Sequence, residues 1–127
     1  MQLLIVEDQP TDLRVATTAA RDCGFRDIEG RTSIAAARQF LEKAVEEEKL
    51  PDAIVLDLDL GYESGFEMLR YWHSHPQIGK VPLLVWTILG DQYREVCEVF
   101  KVSGYIDKGS GGAALSKALG GLAEAVS

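Results

Sequence analysis

Two carboxylates, Asp57 and Asp59, follow an uninterrupted apolar segment that begins at Ala53. A run of this kind predicts a strand of a parallel sheet, buried on both faces by helices. In open α/β sheets, ligands bind beyond the carboxyl ends of the strands. Asp57 therefore stands where such folds carry out chemistry, although a carboxylate that only caps a strand or a turn would fit this segment equally well.

A second apolar run, Gln2–Val6, is followed directly by Glu7 and Asp8. If the two strands are parallel neighbours, these two acids and Asp57 meet at the same edge of the sheet. Clustered carboxylates repel one another unless a cation lies among them or protons are shared. A few oxygen ligands from the protein suit Mg²⁺, which keeps several of its waters. The sequence therefore predicts a Mg²⁺ site formed by Glu7, Asp8 and Asp57.

Two further strands are predicted to add polar groups at this edge. The strand 81–86 leads to Thr87, and the short strand 104–107 leads to Lys108. An aspartate carboxylate can act as a nucleophile and form an acyl phosphate, while a metal ion neutralises charge on the transferring oxygens. Lys108 and Thr87 would then pair with phosphoryl oxygens. The combined pattern predicts that Asp57 accepts a phosphoryl group.

Helical patterns alternate with the strands. They begin at Pro10, at about Ser33, after Gly65, at Asp91 as an N-cap, and after the glycine-rich turn 109–112. Residues 62–65 are predicted to be a loop. The last helix is expected to bury four residues, Leu115, Leu119, Leu122 and Val126. A more polar fifth strand is predicted at 25–30. Five strands alternating with five helices predict an α/β fold, in which a parallel sheet carries helices on both faces.

Length and composition limit the class of protein. The 127 residues predict a single domain, and 46% apolar with 26% charged residues is typical of a globular chain. The net charge of −7 disfavours direct binding to nucleic acid. No signal peptide or apolar run of membrane-spanning length is present, so we expect a cytoplasmic location and no membrane contact. Cys23 and Cys97 fit no CxxC pattern and are predicted to be small buried residues in a reducing compartment.

The segments 4–8, 51–57 and 104–108, together with Gly65 and Thr87, resemble the receiver domains of two-component response regulators. The resemblance extends over nearly the whole chain. It implies a flavodoxin-like (βα)5 fold with a five-stranded parallel sheet in the order 2-1-3-4-5. It also implies that a histidine kinase or a phosphotransfer protein transfers phosphate to Asp57 in the presence of Mg²⁺.

The resemblance assigns further roles. The backbone carbonyl of Asp59 would complete the Mg²⁺ shell. Thr87 and Tyr105 would form the pair that moves on phosphorylation and reshapes the face made by helix 4, strand 5 and helix 5. That face would bind a downstream protein target, a linked output domain outside this chain, or a second copy in a homodimer. Such a domain is a phosphoacceptor switch that catalyses its own phosphorylation and dephosphorylation, and it is not an enzyme with turnover.

Three positions depart from the usual receiver pattern. Gly61 stands where the family usually has proline, and Ile88 occupies a place that is typically alanine or glycine. We expect Gly61 and Ile88 to control access to Asp57 and the rates of phosphorylation and dephosphorylation. Gly109 replaces the proline that usually follows the lysine, which is similar to receivers joined to LuxR-type DNA-binding domains.

Two alternatives remain open on the sequence. The first is a pseudo-receiver that binds a partner without phosphate, which the unusual Ile88 and Gly109 would permit. The second is a phosphatase of the haloacid dehalogenase type, because Asp57-Leu58-Asp59 resembles the DxD signature of those enzymes. Those enzymes normally carry the signature on their first strand and need acids further along the chain, which makes this the weaker alternative.

Overall fold

A computed structural model of the chain describes residues 1–126. The main sheet has five strands, which are β1 (Gln2–Val6), β2 (Asp27–Arg31), β3 (Ala53–Leu56), β4 (Leu83–Thr87) and β5 (Gly104–Asp107). Their order is β2-β1-β3-β4-β5, and all four pairings are parallel. The predicted flavodoxin-like α/β fold and its strand order are therefore confirmed.

In the described part of the chain, five α-helices lie against the two faces of this sheet. They are α1 (Pro10–Asp22), α2 (Ile34–Glu46), α3 (Gly65–Ser74), α4 (Arg94–Val99) and α5 (Gly112–Val126). Alternate side chains of a strand point to opposite faces. Leu3 and Ile5 of β1 accordingly pack in the cluster that contains α1 and α5, whereas Leu4 and Val6 pack in the cluster of α2, α3 and α4. Within residues 1–126, every helix is too short or too polar to cross a membrane.

The segment after β3 differs from the predicted loop. Asp59–Leu60 pairs antiparallel with Glu63–Ser64 in a small hairpin outside the main sheet. Gly61 lies at the turn with a φ of +71°, a conformation that glycine adopts without strain. The Glu63 carboxylate accepts a hydrogen bond of 3.2 Å from the backbone N–H of Ile34, so the hairpin is joined to the first turn of α2. Two-residue strands are too short to produce an alternating pattern, which is why the sequence predicted a loop.

The predicted N-cap at Asp91 is wrong. A 3-10 turn, Gly90–Tyr93, precedes α4, and no side chain caps either element. Asp91 instead pairs with the guanidinium group of Arg94 at 2.9 Å. The 3-10 turn places Asp91 inside the first turn of helical structure. In that position its carboxylate contacts the side chain of Arg94 and does not cap a backbone N–H.

The buried face of α5 agrees with the prediction only in part. Leu115 and Leu119 are fully buried, as expected, and Leu122 is half-buried. Ala123 takes the next buried position, because it follows Leu119 by four residues on the same face of the helix. Val126 is 38% exposed, so its predicted burial is wrong.

Candidate functional site

Three carboxylates converge where β1 and β3 end. Val6 and Leu56 are paired in register, so the residues that follow them lie side by side. One oxygen from each of Glu7, Asp8 and Asp57 lies within 4.8 Å of the others. Glu7 is 1% exposed and Asp57 is 3% exposed, which places two ionisable groups beneath the protein surface.

This acidic cluster fits a divalent cation. The Oδ1 atom of Asp8 is buried and has no hydrogen-bond partner among the described residues. A buried carboxylate oxygen without a partner is costly, and a metal ion bound there would satisfy it. All three side chains offer hard oxygen ligands of the kind that Mg²⁺ prefers. The residues present therefore suit the predicted metal.

Lys108 lies at the centre of the site. Its ammonium nitrogen donates hydrogen bonds of 2.8 Å to the carboxylates of Glu7, Asp12 and Asp57. The side chain is only 9% exposed, and its nitrogen lies 4.8 Å from the centroid of the Trp86 ring. A lysine ammonium has three hydrogens, and here each one is directed to a carboxylate.

The pKa values of Glu7 and Lys108 are both raised, but for different physical reasons. Burial raises the pKa of Glu7 to about 7, and hydrogen bonds from Lys108 and from the N–H of Gln9 only partly oppose this rise. Burial alone would lower the pKa of Lys108, but its hydrogen bonds to the three carboxylates outweigh that effect and hold the pKa above its usual value. Lys108 is therefore a permanent cation at neutral pH.

The backbone around Asp57 fixes its carboxylate. The N–H of Asp59 donates to Asp57 Oδ1 at 3.0 Å, which leaves the second oxygen to Lys108. Gly65 begins α3 directly against this segment: a Cβ atom there would lie 2.3 Å from the Asp57 carbonyl oxygen and 2.5 Å from the Leu58 Cα atom. Only glycine permits so close an approach. The carboxylate of Asp59 itself points outward, where it accepts from the N–H of Gly61 at 3.4 Å.

A cavity of about 400 Å³ opens onto the carboxylates. Its lining is formed by Asp8, Gln9, Asp12, Asp57, Asp59, Gly61, Ile88 and Lys108. Both residues that the sequence predicted to control access, Gly61 and Ile88, are among them. Ile88 is 60% exposed and stands at the opening, whereas a Cβ atom on Gly61 would lie 3.1 Å from Asp8 Oδ2.

Thr87 and Tyr105 lie outside this lining. Thr87 is fully buried, and its hydroxyl oxygen accepts from the N–H of Leu89 at 3.4 Å. Tyr105 is 7% exposed, and its hydroxyl donates to the carbonyl of Gly90. The guanidinium of Arg94 lies 4.9 Å from the centroid of the Tyr105 ring. Both predicted switch residues thus contact the segment between β4 and α4.

Asp12 was not predicted from the sequence. It lies in the first turn of α1, four residues after Asp8, and its side chain is 35% exposed. The signal was the repetition of an acid one helical turn beyond the acidic pair. That signal points to the site only because α1 begins over the edge where β1 and β5 end, which brings Asp12 to Lys108.

Comparisons with known proteins agree with this geometry. The family profile described as the response regulator receiver domain matches residues 3–120. RcaC of Microchaete diplosiphon is 30% identical over 90 residues, which is 71% of this chain but only 13% of RcaC. The phosphorylated cyanobacterial phytochrome response regulator RcpA superposes with a TM-score of 0.80 at 23% identity, over 97% of this chain and 91% of RcpA. The Mn²⁺-bound response regulator Rcp1 gives 0.76 at 25% identity, over 95% of this chain and 90% of Rcp1.

Proposed function

The chain belongs to the family of response regulator receiver domains, and from this premise we propose that it is a signalling switch phosphorylated on Asp57. The observation that carries the proposal is the hydrogen bond from Lys108 to the Asp57 carboxylate. Both residues line a cavity that leads from the acidic cluster to solvent. We further propose that the whole chain is one receiver domain. Its chemistry is that of a phosphoacceptor without turnover on an external substrate.

The proposed step is phosphoryl transfer from a phosphohistidine of a histidine kinase or phosphotransfer protein. A carboxylate oxygen of Asp57 forms a bond to phosphorus while the P–N bond to the donor imidazole breaks. The bonding electron pair stays on the imidazole nitrogen, which then takes a proton from solvent. Lys108 moves one hydrogen bond to a phosphoryl oxygen and offsets the charge that arrives with it. The cavity beside Asp57 provides the room that the transferred group needs.

A bound Mg²⁺ would neutralise charge on the phosphoryl oxygens during this step. Glu7, Asp8 and Asp57 would hold it through their side chains, and Asp59 through its backbone carbonyl. Support comes from the partnerless buried oxygen of Asp8 and from the similarity to Rcp1, which was crystallised with Mn²⁺. The ion would also offset the repulsion among the three carboxylates.

Phosphorylation would be read out through Thr87 and Tyr105. The hydroxyl of Thr87 would turn from the amide of Leu89 towards a phosphoryl oxygen, which would alter the segment that also binds Tyr105 through Gly90. The affected face consists of α4, β5 and α5. It would bind a downstream protein, a linked output domain or a second copy of the chain.

The domain would work in the cytoplasm, where free cysteines such as Cys23 and Cys97 stay reduced. It would make no contact with nucleic acid or membrane.

Uptake of beryllofluoride, a mimic of the phosphoryl group, tests this proposal against a pseudo-receiver. A receiver binds beryllofluoride only with Mg²⁺, and amide resonances of residues 87–93 and 105 should then shift. The variant Asp57→Asn should show no shift under the same conditions. A wild-type spectrum that does not change would favour the phosphate-independent pseudo-receiver. Continuous hydrolysis of a phosphate monoester by the wild-type protein would instead favour the haloacid dehalogenase alternative.

A further inference from the structure

The three carboxylates that accept hydrogen bonds from Lys108 have different roles in the proposed reaction. Asp57 is the group that receives phosphate, and Glu7 belongs to the carboxylates that can hold a metal ion. Asp12 belongs to neither set, although its carboxylate is as close to the ammonium nitrogen as the other two, at 2.8 Å. Its part in the site is therefore directed at Lys108 alone.

The proposed reaction weakens two of these three ion pairs. Once Asp57 carries a phosphoryl group, one of its oxygens is bonded to phosphorus and the side chain loses its own negative charge. A metal ion held by Glu7 would compete with Lys108 for that carboxylate. Only Asp12 can stay paired with the ammonium throughout, because nothing in the proposed chemistry engages it.

We propose that Asp12 is a positioning residue for phosphoryl transfer, which holds the ammonium of Lys108 over Asp57 while the other two acceptors are taken up by metal and phosphate. The inference rests on the proposed function. It assigns to α1 a direct role in the site, through a side chain that contacts Lys108 and lines the same cavity. The aromatic face of Trp86 lies against the same nitrogen and further limits where it can go.

A simpler role for Asp12 makes the opposite prediction. If its charge only repelled an anionic phosphate donor at the cavity, its removal would lower the donor concentration needed for half-maximal rate and would leave the maximal rate unchanged. A positioning role makes the maximal rate fall, since misplacing a charged group by a fraction of an ångström weakens its stabilisation of the transition state. The two roles are thus separated by one concentration series.

The test measures labelling rates with acetyl phosphate at saturating Mg²⁺ for the wild type and for Asp12→Asn, Asp12→Glu and Asp22→Asn. We expect Asp12→Asn to lower the maximal rate about tenfold. Asp12→Glu should recover most of it, which also shows that the site tolerates substitution at this position. Asp22→Asn removes the same charge at an exposed position near the end of α1 and should match the wild type. An unchanged maximal rate in Asp12→Asn would overturn the proposal.

A double-mutant cycle with Lys108→Gln shows whether Asp12 acts through Lys108. In the Lys108→Gln background, Asp12→Asn should have no further effect on the labelling rate. An equal loss in both backgrounds would mean that Asp12 acts independently of Lys108, and the proposal would be wrong. Failure of the proposed function looks different, because the wild type itself would then not be labelled.

Discussion

The ammonium nitrogen of Lys108 lies 2.8 Å from a carboxylate oxygen of Asp57, a residue 51 positions earlier in the chain. The two side chains are 9% and 3% exposed, so water screens their interaction poorly. The same nitrogen is equally close to Glu7, which is 1% exposed. Lys108 therefore supplies positive charge that offsets the repulsion among these acids.

Replacing Lys108 by glutamine should destabilise the metal-free protein by about 3 kcal/mol, because it leaves buried carboxylates without a counter-charge. Mg²⁺ should restore part of that loss, since it supplies positive charge to the same group. Urea unfolding with and without Mg²⁺ measures both effects. Lys117→Gln, at an exposed position on α5, serves as the matched control. Equal unfolding free energies for the two variants would contradict this account of Lys108.

The stability of the metal-free protein should depend on pH through Glu7. Burial raises its pKa to about 7 from an ordinary value of 4.5, so between these values the folded state binds more protons than the unfolded state. Stability from this group is complete below the ordinary pKa and is lost as the pH rises through the folded pKa. Thermal unfolding in EDTA should therefore give a higher Tm at about pH 6 than at about pH 8.

The variant Glu7→Gln should lose most of this dependence, whereas Glu67→Gln, which is exposed on α3, should keep it. Saturating Mg²⁺ should also reduce the dependence in the wild type, because the metal favours the ionised carboxylate. A Glu7→Gln variant with the same change in Tm between the two pH values would show that other groups cause the effect.

Substitution of Gly61 tests whether Asp8 belongs to the metal site, and a matched substitution of Gly111 controls for backbone strain. Its φ is +71°, and an added Cβ atom would lie 3.1 Å from Asp8 Oδ2. Gly111 has a similar φ of +80°, but nothing lies within 4 Å of its Cβ position. Substitution of either glycine by alanine should cost about 1 kcal/mol of stability. Only Gly61→Ala should weaken Mg²⁺ binding. The Mg²⁺ affinity of each variant is measured by the fluorescence of Trp86. Equal affinities in both variants would contradict the placement of Asp8 in the metal site.

The ends of β1 and β3 could be predicted from the sequence because each strand is an apolar run that stops at an acidic residue. The register of β1 against β3 then brings Glu7, Asp8 and Asp57 together, as the sequence predicted. The proline usual at position 61 could not adopt the observed φ of +71°, since its ring holds φ near −65°. The glycine at position 61 therefore allows a turn with positive φ, which joins the two strands of the hairpin 59–64.

Other features could not be predicted because they depend on how elements pack. Asp12 meets Lys108 across 96 positions of sequence, and only the placement of α1 over the sheet edge brings them together. The position of the Trp86 ring beside the same nitrogen follows from the face of β4 on which it packs. The hairpin and the 3-10 turn before α4 are too short for a periodic pattern.

Ile88 should slow access to Asp57. It is 60% exposed and lines the cavity, so Ile88→Ala should raise the rates of both phosphorylation and dephosphorylation by roughly threefold, without changing the unfolding free energy by more than ~0.5 kcal/mol. Val99→Ala, which shortens a 76% exposed apolar residue on α4, should leave both rates unchanged. The rates come from labelling with acetyl phosphate and from decay after the donor is removed. If Ile88→Ala matched the wild type, Ile88 would have no control over access.

We expect Asp57 to accept one phosphoryl group in a reaction that requires Mg²⁺. Intact-protein mass spectrometry after incubation with acetyl phosphate measures this most directly, in the wild type and in Asp57→Asn, with Mg²⁺ and with EDTA. The mass should increase by a single phosphoryl group only in the wild type with Mg²⁺, and peptide mapping should locate the group on Asp57. An equal increase in Asp57→Asn, or none in the wild type, would contradict this expectation.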